Sequence, residues 1–164
     1  MIELHDRLVN AKCLDERDSQ YYISRDDEMN NTQLESTTAI ASALSHPARL
    51  RAVAMLRTGE LCACQITEVL GLASSTVSAH LKELKRAGLL VERKEGRWVY
   101  FGLSNQPAAQ SWVTTALLSV GDDPQLLADE EMVAEMRTLS VEDLCRLGFQ
   151  EARKRAATTT ELSR

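Results

Sequence analysis

Residues 71–103 read GLASSTVSAHLKELKRAGLLVERKEGRWVYFGL, and this run decides the fold. Small residues, Ala73-Ser74-Ser75-Thr76, open a segment whose apolar positions Val77, Leu81 and Leu84 share one helical face. Ser74 or Ser75 is expected to cap that helix, because a serine hydroxyl accepts a hydrogen bond from a first-turn N–H. Gly88 stops it. Leu89-Leu90-Val91, a charged tip from Glu92 to Arg97 and the β-prone Trp98-Val99-Tyr100-Phe101 then make a hairpin signature. A helix opened by small hydroxyl residues and followed by a basic hairpin is the pattern of a winged helix-turn-helix. Small side chains let the helix approach the major groove, and basic residues on the wing neutralise phosphates.

The charge is placed to match. From Gly71 to Arg97 six basic residues stand against three acidic ones, a local +3 in a chain of 164 residues and net charge −5. Residues 1–35 sum to −5, 36–121 to +4, 122–151 to −7 and 152–164 to +3. The middle block thus carries the sign that a DNA surface requires, although the chain as a whole is acidic. The length suits one domain with appended structure. An apolar content of 44% excludes wholesale disorder, and the longest apolar runs are too short to cross a bilayer. Met1 to Asn10 already holds Glu3, His5, Asp6 and Arg7, unlike a secretion signal. A cytoplasmic protein is expected, in which Cys13, Cys62, Cys64 and Cys145 stay reduced and serve as ligands or redox sensors.

Outward from the central run, Cys64 to Leu70 supplies the first helix of the helix-turn-helix and Gly71-Leu72 its turn. Leu34–Leu44 and Ala48–Leu56 precede it as helices. Pro47 is suited to open the second, whose Arg49, Arg51 and Arg57 point outward, and Thr58-Gly59 ends it. His46 reads as a helix-start residue. Beyond the wing, Pro107 to Val120 has helical periodicity, and Gly121-Asp122-Asp123-Pro124 marks a boundary. The expected organisation is a flexible N-terminal arm over residues 1–33, a mostly α winged domain with a small β-hairpin over 34–120, and a helical extension over 121–164. Two short helices separated near Ser140, then a frayed last ten residues, are expected in that extension.

Cys62-Ala63-Cys64 is the chemical centre, since soft thiolates select thiophilic ions. Residues i and i+2 of an ideal helix lie about 200° apart. Both sulfurs can therefore meet one ion only if the pair sits at a helix start, with part of it non-helical.

The runs SHPARLRAVAML (45–56) and GELCACQITEVLGLASSTVSAHLKELKRAGLLVERKEGRWVYFGL (59–103) closely resemble the ArsR/SmtB family of bacterial metal-responsive winged-helix repressors. Glu60-Leu61-Cys62-Ala63-Cys64 resembles its arsenic-sensing branch. The resemblance implies a homodimer that binds operator DNA and leaves it when an ion such as As(III) or Sb(III) takes the thiolates, with no organic cofactor. It also implies dimerisation through Leu34–Leu44 and Pro107–Val120. Ser74, Ser75, Thr76, Ser78 and Ala79 are expected to face the groove, with Lys82 one turn on; His80 matches the family's His-Leu pair as a packing residue or a phosphate contact. Arg93, Lys94 and Arg97 are the wing's phosphate or minor-groove contacts.

Arsenite wants a third thiolate. Cys13 is the preferred one, because relatives with ligands in an N-terminal arm bring them to the pair, in some cases from the other subunit; Cys145 is the runner-up. Many arsenic-sensing relatives continue the motif with an aspartate and a further cysteine, whereas Gln65 and Thr67 stand here. Cadmium, lead or zinc on four cysteines, and a thiol-redox trigger on the same fold, remain as alternatives. A thiol enzyme or arsenic-transfer protein on this scaffold is disfavoured, since Cys-x-x-Cys and any nucleophile–base arrangement are missing from the sequence.

Overall fold

The computed structural model describes residues 32–162. Cys13 and nearly all of the expected arm lie outside those residues.

Helix α1 (Gln33–Leu44) is opened by a reciprocal cap. The Thr32 hydroxyl accepts from the Glu35 N–H at 3.2 Å, and the Glu35 carboxylate accepts from the Thr32 N–H at 2.7 Å. Helix α2 (Pro47–Met55) starts as its residues require: Pro47 occupies the first position, and His46 Nδ1 accepts from the Ala48 N–H at 3.1 Å. A 3-10 turn (Leu56–Thr58) and Gly59 end it. There follow β1 (Leu61–Cys62), α3 (Ala63–Leu70), α4 (Ser74–Arg86), β2 (Leu90–Glu95), β3 (Trp98–Leu103) and α5 (Pro107–Val120). Gly71 joins α3 to α4 at φ 64°, a left-handed conformation that costs glycine nothing. Three further helices complete the described chain: α6 (Pro124–Met136), α7 (Val141–Leu147) and α8 (Phe149–Leu162).

The winged helix-turn-helix is present, with one strand more than expected. The sheet is antiparallel in the order β1-β3-β2, with Leu61 opposite Phe101 and Cys62 opposite Tyr100. Two residues are too few to show a strand's alternation in sequence. Most of the charged run also belongs to strand β2, since Glu95 pairs with Trp98 and only Gly96-Arg97 form the turn.

The core gathers Val53, Leu61, Ile66, Val77, Leu81, Leu84 and Leu89, and continues without a break into Val133, Met136, Leu144, Phe149 and Ala152 of the extension. Helix α6 packs on α2 and α3, and α7 on α3.

Several expectations change. Neither Ser74 nor Ser75 caps α4: Ala73 is its N-cap, and no side-chain cap bond is made, because the turn after Gly71 ends one residue earlier. The expected second helix of the extension is divided by Gly148 at φ 80°. The last ten residues are not frayed through their length, for α8 runs to Leu162 with Phe149 and Ala152 buried at its start. Arg51 does not point outward to water; it reaches across to the extension.

Candidate thiolate centre and nucleic-acid interface

Strand β1 and helix α3 meet at the cysteine pair. Cys62 is the last strand residue and the N-cap of α3, with extended φ −69° and ψ 147°, whereas Cys64 is already helical. This break resolves the 200° conflict, and the two Sγ atoms lie 3.1 Å apart. The Cys62 N–H donates to Gln65 Oε1 at 2.8 Å, and Gln65 is itself buried. Gln65 thereby fixes the backbone turn that aims Cys62, a role signalled in sequence only by its capping-box spacing from Cys62.

Cys145, on α7, brings a third sulfur to the pair. It is joined to Cys64 as a disulfide, with Cα atoms 5.5 Å apart, and its Sγ lies 3.8 Å from that of Cys62. All three sulfurs fall within 4.8 Å of one another. Cys62 is 2% exposed and Cys64 and Cys145 are half-buried. Cys13 is outside the described residues.

A set of long-range bonds holds the extension in place. Arg51 Nε and Nη2 donate to Asp129 at 2.6 and 2.8 Å, and Nη2 also donates to the Val69 carbonyl at 3.0 Å. The Asp129 side chain is only 5% exposed, and Gln125 donates to it as well. Arg137 donates to the Thr58 hydroxyl and the Gly59 carbonyl, at 3.2 Å each. The Glu68 carboxylate accepts from the Phe149 N–H at 2.9 Å, tying the α7–α8 junction to α3.

Once reduced, three thiolates suit a soft ion and offer nothing to magnesium or calcium, which take oxygen ligands. With metal–sulfur bonds of about 2.3 Å and near-tetrahedral angles, bound sulfurs stand about 3.8 Å apart. The Cys62 sulfur stands 3.1 and 3.8 Å from the other two, and reduction of the Cys64–Cys145 bond must come before those two sulfurs can separate to that distance. A closed tetrahedral site lacks its fourth ligand among the described residues.

On α4, Ser74, Ser75, Thr76, Ser78, Ala79 and Lys82 are exposed, opposite the buried Val77, Leu81 and Leu84. His80 is partly covered, with its ring 4.4 Å from that of His46. Burial, then the nearby His46 and Arg49, hold its pKa below the ordinary histidine value. On the wing, Arg93 donates to Glu60 at 3.0 and 3.1 Å and to Glu95 at 2.5 Å, and lies over the Tyr100 ring. Arg97 donates to Glu142 at 2.7 Å and lies over Trp98. Lys82 and Lys94 make no ion pair among the described residues. The acids that occupy the wing are the residues sequence reasoning missed. Exposed pairs of this kind are worth about 0–1 kcal/mol, so a phosphate can displace them.

Helices α1 and α5 pack together and present Leu34 and Leu118, 71% and 78% exposed, to the outside.

Residues 46–91 match the family model described as bacterial regulatory protein, arsR family. The arsenic resistance transcriptional regulator ArsR1 of Pseudomonas putida is 42% identical over 82 residues, which are 49% of this chain and 62% of that protein. The arsenical resistance operon repressor of Escherichia coli is 33% identical over 98 residues, 59% of this chain and 79% of that one. A homologue of the cadmium resistance regulator CadC in Staphylococcus aureus is 35% identical over 72 residues, 43% of this chain and 60% of its own length. Among solved structures, fragment 1–100 of a possible transcriptional regulatory protein from Mycobacterium bovis matches with a TM-score of 0.50 at 25% identity, over 57% of this chain and 100% of the fragment.

Proposed function

The chain belongs to the arsR family of bacterial regulatory proteins, and on that premise we propose an arsenite- or antimonite-responsive repressor that leaves its operator when Cys62, Cys64 and Cys145 take the ion. The named relatives regulate resistance to arsenic or to cadmium, and a metal-responsive transcriptional regulator is the level at which they agree. The finer assignment is carried by one observation: three sulfurs from separate parts of the fold converge at the start of α3. Three is the number a pyramidal trivalent ion asks for. Cadmium or zinc in a closed site would need a fourth.

The route to DNA follows from what the pair touches. Cys62 lies opposite Tyr100 in the wing sheet, and Cys64 is in the first turn of the helix that carries α4 through Gly71. Movement of the sulfurs toward an ion acts on both reading elements at once. A coupling free energy of about 3 kcal/mol weakens operator affinity on the order of 100-fold.

The test is release of a labelled duplex, selected by the reduced full chain from a random-sequence pool, on titration with sodium arsenite. Cys62→Ser, Cys64→Ser and Cys145→Ser are each expected to bind the duplex and to lose release, and Cys13→Ser to keep it. X-ray absorption should count three sulfurs per arsenic. Normal release from Cys145→Ser, with loss in Cys13→Ser, would move the third ligand to the arm.

A second reading rests on the Cys64–Cys145 bond itself. Two thiols giving two electrons and two protons to a peroxide, which leaves as two water molecules, would form that bond and make oxidation the trigger. Release by hydrogen peroxide and not by arsenite would favour it.

A further inference from the structure

The acids that hold the wing's arginines come from three places. Glu95 belongs to the wing and Glu60 to the segment just before β1, but the partner of Arg97 is Glu142, on α7 of the extension. Glu142 and Cys145 are three residues apart on that helix, so their side chains share one face. One turn of α7 is bonded to the thiol centre, and the turn before it carries the carboxylate that pairs with Arg97 at the wing's tip.

We propose that α7 is a clamp: while Cys145 is held at Cys64, Glu142 is held on Arg97, and the wing gives up one phosphate contact. This rests on the repressor reading above, because it requires that Arg97 meets DNA. The carboxylate also stands where a phosphate must arrive, so like charges face each other on approach. Arg97 and Glu142 are 66% and 63% exposed, and a pair so wet accounts for a factor of about five at most. The clamp therefore supplies a share of the release, and distortion at α3 the remainder.

The experiment uses the full chain and Glu142→Gln, an isosteric change at an exposed site. Affinity for the selected duplex is measured across a salt series in two forms: fully reduced, and closed by sodium arsenite or by diamide oxidation of Cys64 and Cys145, with closure followed by thiolate absorbance or peptide mass. In the native chain the slope of log affinity against log salt should be shallower by about one in the closed form. Glu142→Gln should show the same slope in both forms and a release two- to fivefold smaller, while its arsenite absorbance titration is unchanged. Arg97→Gln should have the shallower slope in both forms. Glu142→Gln matching the native chain in slope change and release overturns the clamp and leaves the repressor standing, as does a reduced-form slope unaffected by Arg97→Gln. A native chain released by neither trigger removes the underlying reading and the clamp with it.

Discussion

Gln65 is the residue that best separates the thiol pair from two cysteines that merely pack. Its carboxamide accepts from the Cys62 N–H inside the protein, and a buried N–H left without a partner costs about 1–3 kcal/mol. Gln65→Leu keeps the volume and removes the acceptor. It should lower stability by that amount in thermal or urea unfolding. It should also weaken arsenite binding by more than tenfold, because the extended backbone that turns Cys62 toward Cys64 is no longer held. Unchanged affinity with lowered stability would make Gln65 a packing residue only. The Cys-Ala-Cys pattern was legible as a candidate pair of ligands, and the 200° argument asked for a helix start with part of the pair non-helical, as Cys62 is. The glutamine was not read as a cap, although it stands at capping-box spacing from Cys62, because cysteine is not among the usual N-cap residues.

At the scale of elements, the winged unit and the extension differ in how they declare themselves. Helix α4, the hairpin and α5 follow from periodicity and from glycines at their ends. The docking of α6 does not. It hangs on Arg51, which on a helix with Arg49 and Arg57 reads as one of three solvent-facing charges, and on Asp129, one of nine acids in residues 122–151. Sequence shows both charges and gives no means of pairing them across 78 positions. Asp129→Ala leaves Arg51 partly buried and unpaired, a loss on the order of 3 kcal/mol. The expected outcome is local: α6 and α7 come away while the winged unit stays folded, and Cys145 in the reduced protein is alkylated about 100-fold faster. A uniform fall in melting temperature, with Cys145 no more reactive than in the native chain, would mean that the extension and the winged unit unfold together.

For the whole molecule, the described chain leaves Leu34 and Leu118 facing outward on α1 and α5, which pack side by side. We propose that a second copy of the chain covers this face, as the resemblance implied for these two helices. Leu118→Glu should give a folded monomer by sedimentation and circular dichroism, with operator affinity reduced by more than tenfold, since one half-site contact in place of two remains. A dimer unchanged by that substitution would put the interface elsewhere.

By itself the sequence determined the winged unit, the sign and site of its basic face, and the sulfur pair. Each of these is local, written in residues a few positions apart whose spacing matches a helix, a hairpin or a bidentate grip. Tertiary structure alone brings Cys145 beside that pair and sets Glu142 on the wing. Cys145 and Glu142 lie about eighty and forty-five residues from their partners. Contacts at that separation are set by how α6 and α7 dock on α2 and α3, through a continuous apolar core and the Arg51–Asp129 pair. No periodicity encodes such docking, for it is the sum of many side chains buried together.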